Sequence, residues 1–249
     1  ELLINTRVAS IDAEAKQVVT ESNTVFDYDK LVITTGSRAR KLDLPGCQLG
    51  GIFYLRSLND VDLIRASMGS AKKLCVIGGG YVGLEVAAVA RKAGLNVTVI
   101  ETQERILQRV TTPEMSVYYH QLHTERGVNI MLNQAVTGFE GDGAVSKVLC
   151  GDLSVDTDIV VIGVGILPNI EIAEEAGLVC DNGIVVDDHG QTSNPDIYAA
   201  GDCANHPNRL LNRRLRLESV PNAIEQARVA SINLLGGDVE YASIPWFWS

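Results

Sequence analysis

Apolar, β-branched runs alternate with amphipathic stretches along the chain, which is the pattern of strands and helices in an α/β fold. Gly, Pro and Asn residues mark tight turns between them. In chain order the pattern predicts a strand at 31–35, a helix at 58–68, a strand at 73–77, a helix at 81–93, a strand at 96–100, a helix at 113–126, strands at 158–163, 184–187 and 197–200, and a helix at 221–235. Residues 73–100 therefore form a complete βαβ unit.

A different pattern occupies the middle of the chain. From residue 129 to residue 164 the apolar runs are short and include a Gly141-Asp142-Gly143 turn, which predicts an antiparallel β-meander covering one face of the sheet. Upstream, residues 37–51 are basic and punctuated by Pro and Gly. We therefore expect a connector there, with a domain boundary near residue 40.

The composition narrows the class of protein. The 249 residues suffice for one or two domains, and 46% hydrophobic with 21% charged residues is typical of a globular protein. A net charge of −10 disfavours nucleic acid or anionic membranes as partners. No apolar run approaches the roughly 18 residues that span a bilayer. The five cysteines are widely spaced without a CxxC pair, which indicates reduced thiols and predicts a cytoplasmic location.

A glycine-rich loop joins the first strand of the βαβ unit to its helix. Gly78, Gly80 and Gly83 fit the spacing GxGxxG. The first glycine permits a tight turn, the second lets the backbone approach a pyrophosphate, and the third allows the helix to pack closely on the strand. The helix N-terminus also offers free N–H groups to the phosphates. The loop therefore predicts a dinucleotide site.

An acidic residue ends the second strand of the βαβ unit. Glu101 lies 23 residues after Gly78, near the offset of about 20 residues at which a carboxylate accepts hydrogen bonds from ribose hydroxyls. The same carboxylate would repel the 2′-phosphate of NADPH, and Arg105 lies too far along the following loop to neutralise it. The pattern predicts NADH as the nucleotide.

Two further features carry weaker information. A second glycine turn, Gly163-Val164-Gly165, follows a strand and fits a domain crossover as well as a direct role at the nicotinamide. The four histidines have no clustered acidic or cysteine partners in the sequence, so we predict no metal site.

Four segments together resemble the FAD-dependent pyridine nucleotide-disulphide oxidoreductase superfamily, and specifically its ferredoxin, rubredoxin and putidaredoxin reductase group. They are Tyr28 to Gly36, Gly78 to Glu85, Thr192 to Asp202, and Arg216 to Ala223. The third segment is shared by the whole superfamily, whereas the fourth resembles the iron–sulfur-protein reductases in particular. The resemblance covers residues 7–249.

The resemblance implies an α/β fold of two interleaved Rossmann-like FAD- and NAD(P)-binding domains with a β-meander. It assigns residues 1–38 and 166–238 to the FAD domain, 39–165 to the NADH domain, and 239–249 to the start of a C-terminal interface domain. Because the chain lacks an initiator Met and the first pyrophosphate loop of the FAD domain, we expect an internal fragment in which that domain is incomplete.

Individual site residues follow from the resemblance. The family aspartate that binds the ribityl chain of FAD matches Asp202, and the helix from Val220 would direct its positive N-terminus at the flavin. Glu85 matches a glutamate near the nicotinamide and is the catalytic candidate. Further implied cofactor contacts are Val8, Thr35, Gly36, Arg56, Tyr81, Val82, Gly165 and Gly201.

Plain structural roles stay open for three of these residues. Asp202 can cap a following turn, Arg56 can be a surface charge, and Glu85 can favour the dipole of its helix from the first turn. For Glu85 the two interpretations are equally supported.

The function implied is hydride transfer from NADH to FAD, followed by one-electron delivery to a small iron–sulfur protein, a ferredoxin or rubredoxin, of an oxygenase system. Such partners tend to be acidic, so docking needs a local basic face. Residues 208–216 contain four arginines and no acid, and Arg228 adds to them. The docking candidates are Arg213, Arg214, Arg216 and Arg228, with Arg209 in the same segment.

Two alternative functions stay open. A flavin disulfide reductase or NADH oxidase would use the same cofactors with its redox cysteines upstream of residue 1, although Ser219 to Ala223 argues against it. A non-catalytic dinucleotide-binding fragment is the second alternative, because the first βαβ unit of the FAD domain is not in the chain.

Overall fold

The chain crosses twice between two compact units in the computed structural model, which describes residues 1–247. One unit holds residues 1–38 and the chain from Leu167 onward, and the other holds Ala39–Ile166. The first unit is therefore assembled from sequence on both sides of the second. Within the described range, none of the helices combines the length and apolarity needed to cross a bilayer.

Eighteen strands and five helices lie within residues 1–247. The strands are β1 (Val8–Asp12), β2 (Gln17–Thr20), β3 (Val25–Asp27), β4 (Leu31–Ile33), β5 (Ser37–Ala39), β6 (Ile52–Tyr54), β7 (Lys73–Ile77), β8 (Asn96–Ile100), β9 (Val128–Met131), β10 (Gly138–Asp142), β11 (Ala144–Cys150), β12 (Leu153–Asp156), β13 (Ile159–Ile162), β14 (Ile166–Pro168), β15 (Ile184–Val185), β16 (Ile197–Ala199), β17 (Ala204–Asn208) and β18 (Arg213–Leu215). The helices are α1 (Leu58–Met68), α2 (Tyr81–Lys92), α3 (Pro113–Glu125), α4 (Glu171–Glu175) and α5 (Val220–Leu234).

A five-stranded parallel sheet forms the centre of the 39–166 unit. Its spatial order is β6-β13-β7-β8-β9. Ile77 of β7 lies opposite both Ile100 of β8 and Ile162 of β13, so these three strands end at the same edge. The chain runs from β7 through α2 to the adjacent β8, and through α3 to β9, whereas β13 lies on the other side of β7. The direction of winding therefore reverses between β7 and β13, where α/β proteins bind ligands.

The helices of this unit confirm the predicted βαβ pattern. α2 buries Ala87 and Ala90 against Val76 and Val99 of the sheet, because small side chains on that face let the helix lie close to the strands. Both α2 and α3 end within one residue of the predicted positions.

The predicted meander is confirmed as the antiparallel sheet β10-β11-β12, which covers one face of the parallel sheet. Phe139, Val145 and Val148 of the meander pack in one core with Cys75 and Val160 of the parallel strands. Gly143 makes the turn with φ +69°, a conformation that favours glycine.

The other unit contains shorter sheets, β1-β2-β3, β4-β16 and β15-β17-β18, together with α4 and α5. Two predicted strands are shorter than expected by two residues each. The strand from 31 ends at Ile33, before Gly36 adopts φ +64°. The strand from 184 ends at Val185, because the Asp187 side chain accepts hydrogen bonds from the backbone N–H groups of His189 and Gln191 and closes a turn.

Candidate functional site

The glycine loop after β7 is built so that two of its glycines cannot carry a side chain. Gly78 has φ +105°, and a Cβ there would lie 2.4 Å from the carbonyl oxygen of Gly163. A Cβ on Gly83 would lie 2.0 Å from the carbonyl oxygen of Gly78. Both distances are below van der Waals contact, so the loop and the first turn of α2 pack at backbone distance, as the GxGxxG spacing predicts.

The middle glycine is different. Gly80 is the N-cap of α2 with φ −81° and ψ −176°, which any residue adopts, and a Cβ there would meet nothing within 4 Å. The protein therefore does not require glycine at this position for its own packing. The open space lies directly at the N-terminus of a 12-residue helix, where the first N–H groups have no partner within the helix. These are the features of a phosphate cradle.

The second glycine turn lies beside the first. Gly163 follows β13, the neighbour of β7, and its carbonyl faces Gly78, while a Cβ on Gly163 would lie 3.7 Å from the backbone nitrogen of Gly83. Gly163 thus packs against the glycine loop at the point between β7 and β13 where the direction of winding reverses. Gly165, two residues later, has φ +98° and open space around a Cβ.

Glu101 joins the same cluster from the end of β8. Its Oε2 accepts a hydrogen bond from the backbone nitrogen of Gly79 at 2.7 Å, and its Oε1 accepts from the backbone nitrogen of Gln103 at 2.9 Å. The carboxylate is thereby held against the glycine loop. Arg105 donates to Ser116 Oγ of α3 at 2.6 Å and to the backbone carbonyls of Gln108 and Thr111, so these residues bind its guanidinium.

The remaining predicted residues of the 39–166 unit lie around this loop or before α1. Tyr81 is half-buried and Val82 is 45% exposed in the first turn of α2. Glu85 is exposed and is the fifth residue of the helix, beyond the first turn, so the helix-dipole interpretation of this residue is wrong. The backbone nitrogen of Arg56 donates to Asp60 Oδ2 at 3.0 Å, ahead of α1.

A second cluster of predicted residues forms in the other unit around Asp202. Ser37 Oγ donates to Asp202 Oδ2 at 2.7 Å, and Arg216 donates to the backbone carbonyl of Asp202 at 3.1 Å. Gly201 has φ +84°, and its N–H donates to Gln226 Oε1 at 2.8 Å. An ionised carboxylate only accepts hydrogen bonds, and it can accept several at once.

The two segments next to the crossovers are hydrogen-bonded to each other. Thr35 Oγ1 donates to the carbonyl of Asn169 at 2.6 Å, and Asn169 Nδ2 donates back to the carbonyl of Thr35 at 2.9 Å. Gly36 has φ +64° with nothing within 4 Å of a Cβ. Val8 opens β1 at 39% exposure and lies in neither cluster.

Helix α5 begins one residue earlier than predicted, at Val220. Ser219 is the N-cap and accepts from the backbone nitrogen of Asn222 at 3.3 Å. Val220 is the first helical residue and 57% exposed, so Pro221 is the second and not the first. Proline is tolerated there because the first-turn N–H groups have no helical partner.

The predicted docking arginines need correction. Arg216 has a side chain only 8% exposed and pairs with Glu218 at 2.8 Å, so it supports the Asp202 segment and presents no docking surface. Arg214 donates to the carbonyl of Val186 and to the backbone and side chain of Asn205. Arg213 and Arg228 are exposed. Arg209 forms ion pairs with Asp188 and Glu240, so acidic residues from other parts of the chain contact the basic segment 208–216.

The statement that no histidine has an acidic partner is also wrong. His189 Nδ1 lies 2.9 Å from Asp188 Oδ1, and its Nε2 lies 2.9 Å from Asp238 Oδ1. Burial lowers the pKa of His189, but the bonds to these two carboxylates outweigh it and raise the pKa above the usual value. Ligand atoms of Asp187, Asp188 and His189 lie within 4.8 Å of one another. Since both ring nitrogens already face carboxylates, we interpret the group as an ion-pair network, signalled in the sequence by the contiguous Asp187-Asp188-His189.

Comparison with known proteins gives a consistent result. The profile of the pyridine nucleotide-disulphide oxidoreductase family matches residues 1–227. Putidaredoxin reductase CamA from Pseudomonas putida is 44% identical over 256 residues, which cover 100% of this chain and 61% of that protein. The crystal structure of the ferredoxin reductase for the CYP199A2 system from Rhodopseudomonas palustris superposes with a TM-score of 0.96 at 41% identity, over 99% of this chain and 62% of that one.

A third relative is a complex. The crystal structure of the covalent putidaredoxin reductase–putidaredoxin complex matches with a TM-score of 0.94 at 44% identity, over 98% of this chain and 60% of that one. The chain spans about three-fifths of the length of these relatives. The family match covers most of the residues that form both clusters described above, and the chain therefore belongs to the pyridine nucleotide-disulphide oxidoreductase family.

Proposed function

We propose that this chain is the nucleotide-binding part of an NADH-dependent FAD flavoprotein reductase, which passes electrons to a small iron–sulfur protein of the ferredoxin or rubredoxin type in an oxygenase system. The observation that carries the proposal is the open cradle at Gly80 beside the carboxylate of Glu101. The acceptor class rests on the relatives, which are ferredoxin and putidaredoxin reductases by name.

Residues 39–165 form the NADH domain in this proposal. The N–H groups at the start of α2 bind the pyrophosphate over Gly80, with Gly78, Tyr81, Val82 and Gly83 shaping the loop. The carboxylate of Glu101 accepts hydrogen bonds from the ribose hydroxyls. It repels the 2′-phosphate of NADPH, because the guanidinium of Arg105 is bound to other residues. Glu85 and Gly165 face the nicotinamide end, where Glu85 is the candidate for orienting the ring.

Residues 1–38 and 166–238 form the FAD domain, and 239–249 begin an interface domain. When bound, FAD supplies the conversion between two-electron and one-electron chemistry. The carboxylate of Asp202 accepts a hydrogen bond from a hydroxyl of the ribityl chain. The dipole of α5, whose first residue is Val220, stabilises negative charge on the flavin ring. Secondary contacts in the proposal are Val8, Thr35, Gly36, Arg56 and Gly201.

Flavin binding tests this proposal directly. The purified chain is expected to show the absorption band of bound flavin, and Asp202→Ala is expected to weaken FAD binding at least tenfold, since a charge-assisted hydrogen bond is lost. Asp196→Ala is the matched control, because Asp196 is a carboxylate of the same unit that pairs with Lys16 and Lys30 at its surface. A colourless chain that still binds NADH contradicts the proposal and leaves a dinucleotide-binding fragment.

The docking face follows from the exposed arginines. Arg213 and Arg228 are exposed in the unit that holds the Asp202 cluster, and a chain of net charge −10 needs local positive charge to attract an acidic partner. Reduction of a small acidic ferredoxin is expected to slow as salt is raised, with the double variant Arg213→Gln/Arg228→Gln several-fold slower at low salt and less sensitive to salt. Equal salt dependence for the variant and the unaltered chain would count against this face.

The compartment is proposed from the cysteines. All five are free thiols, and Cys75, Cys150 and Cys203 are buried. Unpaired thiols are typical of a reducing compartment, so we propose a cytoplasmic location.

A further inference from the structure

A buried amide on α5 reaches the backbone beside Asp202. Gln226 is 5% exposed, and its Oε1 accepts the N–H of Gly201 at 2.8 Å. The other end of the same amide, Nε2, lies 2.8 Å from Nδ1 of His206, which is 1% exposed. Gly201, Gln226 and His206 therefore form one buried chain of hydrogen bonds that ends at the N–H of Gly201, the residue before Asp202.

The direction of each bond in this chain follows from the chemistry of the groups. A backbone N–H only donates, so the Gln226 amide must turn its oxygen toward Gly201 and its NH₂ toward His206. Nδ1 of His206 must then accept, which places the imidazole proton on Nε2. The backbone of Gly201 thus selects one tautomer of a histidine with which it shares no direct bond.

His206 is held in place by its surroundings. The ring of Tyr241 contacts it edge to face, with centroids 4.9 Å apart and planes at 85°. Tyr241 in turn donates from its hydroxyl to Asn222 Oδ1 at 2.9 Å. Nε2 has no hydrogen-bond partner within residues 1–247, and His206 and Asp187 both line a small cavity. The imidazole therefore cannot turn over without breaking its bond to Gln226.

We propose that Gln226 and His206 are positioning residues for the cofactor-binding carboxylate, a role that rests on the proposed FAD function. Gly201 has φ +84°, a conformation that lacks the support of regular structure, and its N–H is anchored by Gln226. The anchor sets the direction in which the chain leaves β16 and hence where Asp202 lies. Ser37 donates to the carboxylate of Asp202, and Arg216 donates to its backbone carbonyl.

The test compares three variants with the unaltered chain by titration of FAD into flavin-free protein. Gln226→Met removes both hydrogen bonds at similar volume and is expected to weaken FAD binding about tenfold. Gln226→Glu keeps the acceptor for Gly201 and is expected to restore most of the affinity. Asn233→Leu is the matched control, because Asn233 is a buried amide of α5 that bonds the backbone of His189 and Val239.

A spectroscopic readout separates positioning from packing. In the unaltered chain, ¹⁵N shifts of His206 are expected to show a proton on Nε2 and a bare Nδ1, whereas in Gln226→Glu a proton is expected on Nδ1 as well, because a carboxylate cannot donate. Equal FAD affinity of Gln226→Met and Asn233→Leu, or a proton on Nδ1 in the unaltered chain, overturns the inference. An unaltered chain that binds no FAD overturns the proposed function instead, and the inference with it.

Discussion

Replacing Gly80 by alanine is expected to weaken NADH binding at least a hundredfold while leaving the fold intact. The added methyl group meets no protein atom within 4 Å, and φ −81° with ψ −176° suits alanine. Alanine is a poorer N-cap than glycine, which lowers the free energy of unfolding. It also lowers the entropy of the unfolded chain, which raises the free energy of unfolding by a similarly small amount. The methyl group instead occupies the space into which the pyrophosphate must come to reach the helix N–H groups.

Two other glycines provide the controls for this prediction. Gly83→Ala is expected to destabilise the protein by about 3 kcal/mol, because its Cβ would lie 2.0 Å from the carbonyl oxygen of Gly78. Gly69→Ala is expected to change neither property, since Gly69 ends α1 with φ −63° and only ordinary contacts. Calorimetric titration with NADH and NADPH, together with denaturant unfolding, measures both properties. Normal NADH affinity in Gly80→Ala would place the pyrophosphate elsewhere.

Local features of this fold were predictable because each depends on residues close in sequence. Thr112 and Pro113 start α3, and Gly127 follows its end, so its bounds differ from the prediction by one residue. The glycine loop was predictable for the same reason, since the geometry of Gly78, Gly80 and Gly83 follows from one strand, one turn and one helix.

Partners distant in sequence were not predictable. The basic segment at 208–216 contains no acid, yet Arg209 pairs with Asp188 and Glu240, 21 and 31 residues away. Nothing in the sequence around Arg216 indicates that it is buried on the carbonyl of Asp202. The proposed docking surface therefore consists of Arg213 and Arg228.

His206 is expected to make the protein sensitive to mild acid. Burial, with a smaller effect of the Arg214 charge, lowers its pKa to about 4. An unfolded chain takes up a proton near the usual histidine pKa of about 6.5, so between these two values the unfolded state binds more protons and stability falls as the pH falls. The loss from pH 7 to pH 5 is about 2 kcal/mol for this residue. Protonation of Nδ1 would also set two donors, His206 and Gln226, against each other.

Denaturant unfolding at pH 7 and pH 5 measures this effect in His206→Gln, which has no titratable group at the position. The variant is expected to be less stable than the unaltered chain at pH 7 and to lose about 2 kcal/mol of that difference at pH 5. His189→Gln is the control of opposite sign. The bonds to Asp188 and Asp238 raise the pKa of His189, so its contribution is present in acid and lost as the pH rises, and this replacement costs more at pH 5 than at pH 7. A destabilisation of His206→Gln that is equal at the two pH values would show that His206 is not held neutral by its surroundings.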